Sequence, residues 1–217
     1  KEPFRYLEEN GFNVTYLPVD NRGLVSVDAL KEALDEETIL VSVMLVNNEI
    51  GTIEPVEKIG KIVKDYNKDI IFHVDAIQAY GKMRIYPKKM NIDLLSVSGH
   101  KIHAPKGTGF LFIKDKTKIK PLILGGGQQR AMRSGTENVP GIAGLGKAAE
   151  LIYTKDFDEK VDKMYELRDY FVSELEKLDG VHINGMRERE SAPHVVSAGF
   201  EGVRAYVLLH EKKDYSI

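Results

Sequence analysis

Residues 70–78 read IIFHVDAIQ, and residues 94–103 read LLSVSGHKIH. Each segment begins with a short apolar run that predicts a β-strand, and each continues directly into polar side chains. In open α/β sheets, ligands bind beyond the carboxyl ends of the strands. The two segments therefore predict two strands of such a sheet, with Asp75 and Lys101 placed where a ligand would bind.

The rest of the first 150 residues alternates strands with helices. The nearly continuous apolar run 38–46 predicts a strand that is buried on both faces. Ser26 is suited to cap a short helix, and Pro55 is suited to open the next one. Further strands are predicted at 12–17 and 109–113. Strands that alternate with amphipathic helices favour the α/β class, with a mainly parallel sheet and right-handed crossovers.

The pattern changes after three glycines at 125–127. Two long helices and then short strands are predicted there. They are helices at 139–153 and 156–178, strands at 181–183 and 195–200, and a helix at 203–211. We therefore expect residues 1–150 to form a large domain that is incomplete at its N-terminus. Residues 151–217 would begin a smaller α+β domain.

Composition excludes several classes of function. The 31 basic and 33 acidic residues give a net charge of -2, so nucleic-acid binding is not expected. No apolar run approaches the roughly 20 residues of a membrane-spanning helix. The chain has no cysteine, which rules out disulfides and Cys-type zinc sites. These features favour a cytoplasmic protein. Because the chain starts at Lys1 within a predicted helix, we expect it to be part of a longer protein.

Lys101 and Asp75 together suggest one cofactor chemistry. Pyridoxal phosphate needs an amine that holds its aldehyde as an imine, and an anion beside its ring nitrogen. Lys101 and Asp75 could supply these two groups, and Gln78 could reach the same ligand. Taken singly, the residues have simpler interpretations, because Asp75 could cap a loop and Lys101 could be a surface lysine.

Other polar segments could bind the phosphate and the substrate. Ser98 and His100 are plausible phosphate ligands, and Gly99 allows close approach of a backbone. The segment GGGQQRAMRSGT at 125–136 could bind phosphate, although a mobile loop is an equal alternative. Asn48 lies beyond the run 38–46 and could bind a carboxylate, although Asn also favours turns.

Two motifs are false leads. Residues 141–148, GIAGLGKA, nearly match a phosphate-binding P-loop, but Ala148 replaces the hydroxyl residue and no strand precedes the motif. We interpret it as a helix that contains glycines. His100 and His103 have a spacing suitable for a metal, but no third ligand is apparent, so no metal site is expected.

Four longer motifs resemble those of the pyridoxal-phosphate-dependent cysteine desulfurases, which belong to the class V aminotransferase superfamily. The match is best with the branch that serves nitrogenase and iron–sulfur assembly. The motifs are VNNEIGTIEPV at 46–56, FHVDAIQAYGK at 72–82, SVSGHKIHAPKGTGFLF at 96–112 and GGGQQRAMRSGTENVPGIAGLGKA at 125–148. The resemblance implies the fold-type I architecture, with a cofactor-binding large domain at residues 1–150.

The resemblance also implies a role for each site residue. Lys101 would hold the cofactor as an imine and later move the substrate Cα proton. Asp75 would pair with the pyridinium nitrogen. Gln78 would contact the phenolic oxygen, and Ser98 and His100 would contact the phosphate. Thr136 would contact the phosphate held by the partner subunit of a homodimer. Asn48 would contact the cofactor and the substrate carboxylate.

Several family features are changed or absent. Gln129 stands where Glu is usual, Ala131 where Gly is usual, and His103–Ala104 where an aromatic–Gly pair is common. The family's ring-stacking histidine and a phosphate-binding threonine would precede residue 1. Its catalytic cysteine, on a loop, and its substrate-binding arginine would follow residue 217. We therefore expect this chain alone to be inactive.

The activity implied for the intact protein is conversion of L-cysteine to L-alanine. The sulfur would be held as an enzyme persulfide and passed to a scaffold or transfer protein. Two alternatives remain at this point. Another class V lyase or aminotransferase would share Lys101 and Asp75, whereas a cofactor-free dimeric scaffold would need neither residue.

Overall fold

The structure is a computed structural model that describes residues 2–205 and 207. Its α-helices are α1 (Glu2–Glu9), α2 (Val27–Ala33), α3 (Val56–Tyr66), α4 (Val139–Ile152) and α5 (Phe157–Leu175). Its strands are β1 (Leu40–Met44), β2 (Ile71–Asp75), β3 (Leu94–Ser98), β4 (Gly109–Ile113), β5 (Val181–Asn184) and β6 (Ser197–Phe200). Short 3₁₀ turns lie at Gly99–Ile102, Gln128–Ala131 and Glu188–Glu190. Within this part of the chain, no helix is long and apolar enough to cross a membrane.

The main sheet has the strand order β1-β2-β3-β4. The first three strands are parallel, and β4 pairs antiparallel with β3. Strands β5 and β6 form a separate antiparallel pair. The predicted α/β class with a mainly parallel sheet is confirmed. The domain boundary at residue 150 stays a prediction.

One face of the sheet forms the core. Phe72 and Val74 of β2 point to this face, and they are fully buried with Ile59 and Val63 of α3. Burial of each such side chain stabilises the fold by about 1.5–3 kcal/mol. Alternate residues of β2 and β3 point to the opposite face and are only half-buried. This second face carries the polar side chains of the candidate site.

The helix boundaries follow local capping. The Ser26 Oγ accepts a hydrogen bond from the Ala29 N–H, as expected for an N-cap. Pro55 was expected to be the first helical residue but is the N-cap of α3, so the helix begins one residue later, at Val56. Asn138 caps α4, which contains the P-loop-like segment 141–148 as a helix. The interpretation of that segment as a glycine-containing helix is therefore confirmed.

The run 38–46 forms the predicted strand β1, but its expected burial is wrong, and the strand predicted at 12–17 does not form. Residues 12–17 join no ladder among the described residues, and most of them are exposed. Strand β1 is not buried on both faces, since its residues are half-buried and Leu40 is 37% exposed. Within the described residues β1 pairs only with β2, so it is an edge strand of the sheet.

Helix α5 forms within the predicted range 156–178, but its apolar residues spaced three and four apart lie only partly on its buried face. The buried residues are Phe157, Tyr165, Arg168 and Val172. By contrast, Phe171 of the stripe is 52% exposed. The buried face also carries Arg168, whose Nη2 donates to the Met186 carbonyl, 3.4 Å away. The predicted helix at 203–211 lies largely outside the described residues.

Asp93 joins three elements at the amino edge of the sheet. Its side chain is only 7% exposed, and it pairs with Lys64 of α3 and with Lys114 after β4. It also accepts a hydrogen bond of 2.9 Å from the Phe72 N–H. Burial acts to raise the pKa of Asp93, but the hydrogen bonds from Lys64, Phe72 and Lys114 outweigh it and lower the pKa. Asp93 is therefore a charged anchor that needs its ionised form.

We predict that Asp93→Asn lowers the free energy of unfolding by about 3 kcal/mol, because it leaves the Lys64 ammonium buried without a countercharge. Urea unfolding at pH 7 measures the change. Asp65→Asn removes an exposed pair with Lys61 and should cost at most about 1 kcal/mol. Because the folded-state pKa of Asp93 is lowered, its contribution is complete above the ordinary Asp pKa of about 3.9 and is lost as the pH falls from there through the lowered pKa of the folded state. A deficit of Asp93→Asn that stays constant down to pH 2 would contradict this account.

Candidate functional site

The candidate site lies at the carboxyl edge of the parallel strands. Asp75 ends β2 and pairs in register with Ser96 of β3. Ser98 ends β3 two residues later and points to the same face of the sheet. From the strand spacing and the rise per residue, the Cα atoms of Asp75 and Ser98 are about 8 Å apart. Parallel pairing thus brings together two residues that are distant in sequence.

Asp75 presents one open carboxylate oxygen. The side chain is half-buried, and its Oδ1 accepts a hydrogen bond of 2.9 Å from the Ile77 N–H. Its Oδ2 has no hydrogen-bond partner among residues 2–205. Gln78 is half-buried in the turn that follows, where the Ala79 N–H donates to the Ala76 carbonyl. This end of β2 can therefore accept a hydrogen bond from a ligand.

Lys101 lies in a tightly held 3₁₀ turn. Its neighbour Ile102 is buried, and Gly99 is so enclosed that a Cβ there would lie 2.9 Å from the Thr108 Oγ1 and 3.0 Å from the Ala104 Cβ. Lys101 itself is exposed, and no hydrogen bond or ion pair engages its amine in the described part of the chain. The backbone is fixed while the amine is free to react.

Ser98 and His100 form a polar pair beside Lys101. The Ser98 Oγ lies 2.7 Å from the His100 Nδ1. When Ser98 donates this hydrogen bond, His100 keeps its proton on Nε2 and can donate it to an anion. The pair is suited to the phosphate contact expected from the sequence.

Asn48 lies at the same edge of the sheet, on the loop after β1. It is exposed, and its Nδ2 donates to the Glu49 Oε1 at 2.7 Å. The preceding residue, Asn47, shapes the turn, since its Oδ1 accepts from the Glu49 and Ile50 N–H groups. Asn47 is therefore the residue that forms the turn, and the exposed side chain of Asn48 remains available to a ligand.

Thr136 is not brought to the other site residues. It is exposed in the loop before α4, and no contact within the described residues joins it to Asp75 or Lys101. The loop around it is ordered, because the buried Ser134 Oγ donates to the Gly126 carbonyl at 2.8 Å. Thr136 is thus an exposed loop residue that no hydrogen bond links to its own chain's site within the described residues.

The structure adds two residues that the sequence reasoning missed, His194 and Lys82. The pKa of His194 is lowered to about 4, first because protein atoms desolvate its ring and then because of the charges of Lys82 and Lys101. The ring is desolvated although the residue as a whole is exposed. Burial also lowers the pKa of the half-buried Lys82. No sequence signal links His194 to Lys101, because the loop before β6 reaches the site only through tertiary docking.

That docking is visible in the backbone. The Ala192 N–H donates to the Gly51 carbonyl at 2.8 Å, and Thr52 and Ser191 form an isolated antiparallel bridge. Gly51 has a φ of +76°, and a Cβ there would lie 2.9 Å from the Ser191 Oγ. The segment before β6 is therefore fixed on the loop that carries Asn48.

Comparison with known proteins assigns the chain to a family. A profile described as Aminotransferase class-V matches residues 2–217. The chain belongs to the class V aminotransferase family. The class V chain is 48% identical over 211 residues to "Cysteine desulfurase IscS" of Dictyoglomus turgidum, covering 96% of this chain and 52% of that protein. It is also 48% identical over 213 residues to a protein of the same name from Methanosarcina thermophila, covering 97% of this chain and 52% of that protein.

A solved structure supports the same fold. A "NifS-like protein" superposes with a TM-score of 0.94 at 44% sequence identity, covering 100% of this chain and 58% of the other. The fold-type I architecture expected for a class V enzyme is thereby confirmed. The chain spans about half the length of the curated relatives that it matches.

The glycine-rich loop of this class V chain contains a strained turn. Gln129, Arg130 and Ala131 all have positive φ values, of 50°, 57° and 62°. A non-glycine residue in this left-handed region costs roughly 1–2 kcal/mol. Ala131 is the position where glycine is usual in the resembling family, so the structure explains why that glycine is favoured.

We predict that Ala131→Gly raises the free energy of unfolding by about 1 kcal/mol, because glycine adopts a positive φ without steric cost. The same substitution at the exposed Ala143, inside α4, should lower it by about 1 kcal/mol. Thermal or urea unfolding of both variants checks the opposite signs. Destabilisation by both would show that residue 131 does not adopt the left-handed conformation.

Proposed function

We propose that this chain is the cofactor-binding part of a pyridoxal-phosphate-dependent cysteine desulfurase. The observation that carries the proposal is the pairing of an open Asp75 oxygen with an unengaged Lys101 amine at adjacent strand ends. The relatives named cysteine desulfurase at 48% identity support the same activity. Residues 1–150 would carry the cofactor, and residues 151–217 would begin the smaller domain.

The donor set fits pyridoxal phosphate. Asp75 has an anionic oxygen without a partner, which suits a protonated ring nitrogen. His100 can donate its Nε2 proton to a phosphate at the end of β3, because the Ser98 hydroxyl donates to its Nδ1. Gln78 is close enough in sequence to Asp75 to reach the phenolic oxygen. When bound, pyridoxal phosphate supplies an acceptor for the electrons released at the substrate Cα.

Each residue then has a definite task. Lys101 would hold the cofactor aldehyde through its amine and would carry the substrate Cα proton. Asp75 would keep the ring nitrogen protonated through its charge. Asn48 would orient the substrate carboxylate from the loop after β1. These groups bind, orient and move a proton, which are the tasks that this part of a desulfurase must perform.

The substrate of the intact protein would be L-cysteine and the product L-alanine. The departing sulfur needs a thiol to receive it as a persulfide. This chain contains no cysteine, so that thiol must belong to another part of the protein or to a partner. A scaffold or transfer protein would then take the sulfur for iron–sulfur cluster assembly. The cytoplasmic location expected from the sequence stays a prediction.

The working unit would be a homodimer, in which Thr136 contacts the phosphate held by the partner subunit. Three features support this. Thr136 is exposed, and no hydrogen bond joins it to its own chain's site within the described residues. The segment just before the glycine-rich loop exposes Leu122 at 94% and Leu124 at 77%. This segment is tied to the loop by the Ser134 N–H, which donates to the Ile123 carbonyl.

We predict that Lys101→Ala abolishes alanine formation from cysteine in the full-length protein, because no other amine occupies that position. Lys106→Ala, in the exposed turn that follows, should retain most of the activity. Alanine formation is measured by chromatography under reducing conditions. Turnover by Lys101→Ala near the level of the unchanged protein would reject the proposed function.

We predict that the double variant Leu122→Asp/Leu124→Asp of the full-length protein is a monomer, because two carboxylates in an apolar interface are costly to desolvate. Tyr86→Asp, at an exposed aromatic residue elsewhere, should leave the dimer intact. Light scattering coupled to gel filtration gives the mass of each. An intact dimer in the double variant would exclude this segment from the interface.

A further inference from the structure

His73 links the three parallel strands just inside the candidate site. Its Nδ1 lies 2.8 Å from the Ser42 Oγ of β1, and its Nε2 lies 2.8 Å from the Ser96 Oγ of β3. His73 precedes Asp75 by two residues on β2, so both side chains point to the same face of the sheet. We call Ser42, His73 and Ser96 the cross-strand clamp.

The clamp holds an uncharged imidazole. Burial lowers the pKa of His73, and the nearby Asp75 carboxylate, which acts in the opposite direction, does not reverse this. A neutral imidazole has one N–H donor and one acceptor nitrogen. One serine hydroxyl therefore donates to His73 and the other accepts from it.

Both ring nitrogens of His73 are therefore engaged by serine hydroxyls of the neighbouring strands. Asp75 lies along β2, in a direction that neither nitrogen faces, and no hydrogen bond joins His73 to Asp75 in residues 2–205. A histidine released from the serines could instead turn towards Asp75 and gain a proton, because a neighbouring carboxylate favours imidazolium. Such a pair would occupy the oxygen that the proposed cofactor needs.

We propose that His73 is a positioning residue for Asp75. The cross-strand clamp keeps the imidazole neutral and directed at Ser42 and Ser96, which leaves the Asp75 Oδ2 open to the protonated ring nitrogen of the cofactor. This inference deepens the proposed function and rests on it. An apolar residue at position 73 would not position Asp75 as well. It would desolvate the Asp75 carboxylate and so disfavour the charged form that the ring nitrogen needs.

The test compares two ligands on the full-length protein. One is pyridoxal phosphate, and the other is an analogue in which carbon replaces the ring nitrogen. Only the first can use Asp75, so the ratio of their dissociation constants reports the Asp75 contact. The variant is Ser42→Ala/Ser96→Ala, which removes the clamp and leaves His73 and Asp75 in place. Ser26→Ala is the matched control, because it removes a serine hydrogen bond at the cap of α2, away from the site.

The expected result is a loss of about tenfold in the preference for pyridoxal phosphate in the double variant, which corresponds to about 1.4 kcal/mol. Ser26→Ala should keep the preference of the unchanged protein even though it is less stable. General damage to the fold would weaken both ligands equally and leave the ratio unchanged. An unchanged ratio in a folded double variant would therefore overturn the role of His73.

The outcome also separates this inference from the proposed function. If the unchanged protein shows no preference between the two ligands, the Asp75 contact itself is wrong and the proposed function fails. A nitrogen-15 NMR spectrum of histidine-labelled unchanged protein at pH 7 gives a second measurement that needs no variant. A neutral His73 ring supports the clamp, and a protonated ring overturns it.

Discussion

The parallel pairing of β1, β2 and β3 is the constraint on which the rest of the structure depends. It directs the carboxyl ends of three strands to one edge, where Asn48, Asp75 and Lys101 follow them. The register matters as much as the direction. Because side chains alternate along a strand, a slip of one residue in β2 would turn Asp75 towards the core and Phe72 towards the site. The buried side chains that hold the register therefore also hold the chemistry.

The two edges of the sheet differ in how their charges are satisfied. At the amino edge, Asp93 is fully engaged by Lys64, Lys114 and a backbone N–H, and this arrangement stabilises the fold. At the carboxyl edge, Asp75 keeps an open oxygen and Lys101 keeps an unengaged amine. Groups that no other protein group engages are available to a ligand, whereas the charges around Asp93 are already paired with one another. This contrast is a physical reason to place the function at the carboxyl edge.

Much of the fold could be predicted from local sequence. The apolar runs predicted the bounds of β2 and β3 to within one residue, and Ser26 predicted the start of α2. Both predictions succeed because strand length and helix capping are local properties. The failures have tertiary causes. The run at 12–17 joins no ladder among the described residues, and α5 buries Arg168 while Phe171 of its apolar stripe is exposed. For the site, Lys101 and Asp75 stood out by their motifs. The cross-strand clamp on His73 and the docking of His194 depend on pairing and loop packing, which a single sequence does not reveal.

The central claim is that Lys101 and Asp75 build a site for pyridoxal phosphate. The most direct measurement is an absorbance titration of this chain with pyridoxal phosphate, followed by borohydride reduction and peptide mapping. The account predicts a yellow absorbance band and a single reduced adduct on Lys101. No band, or label spread over surface lysines such as Lys106 and Lys116, would contradict the claim that this chain holds a preformed cofactor site.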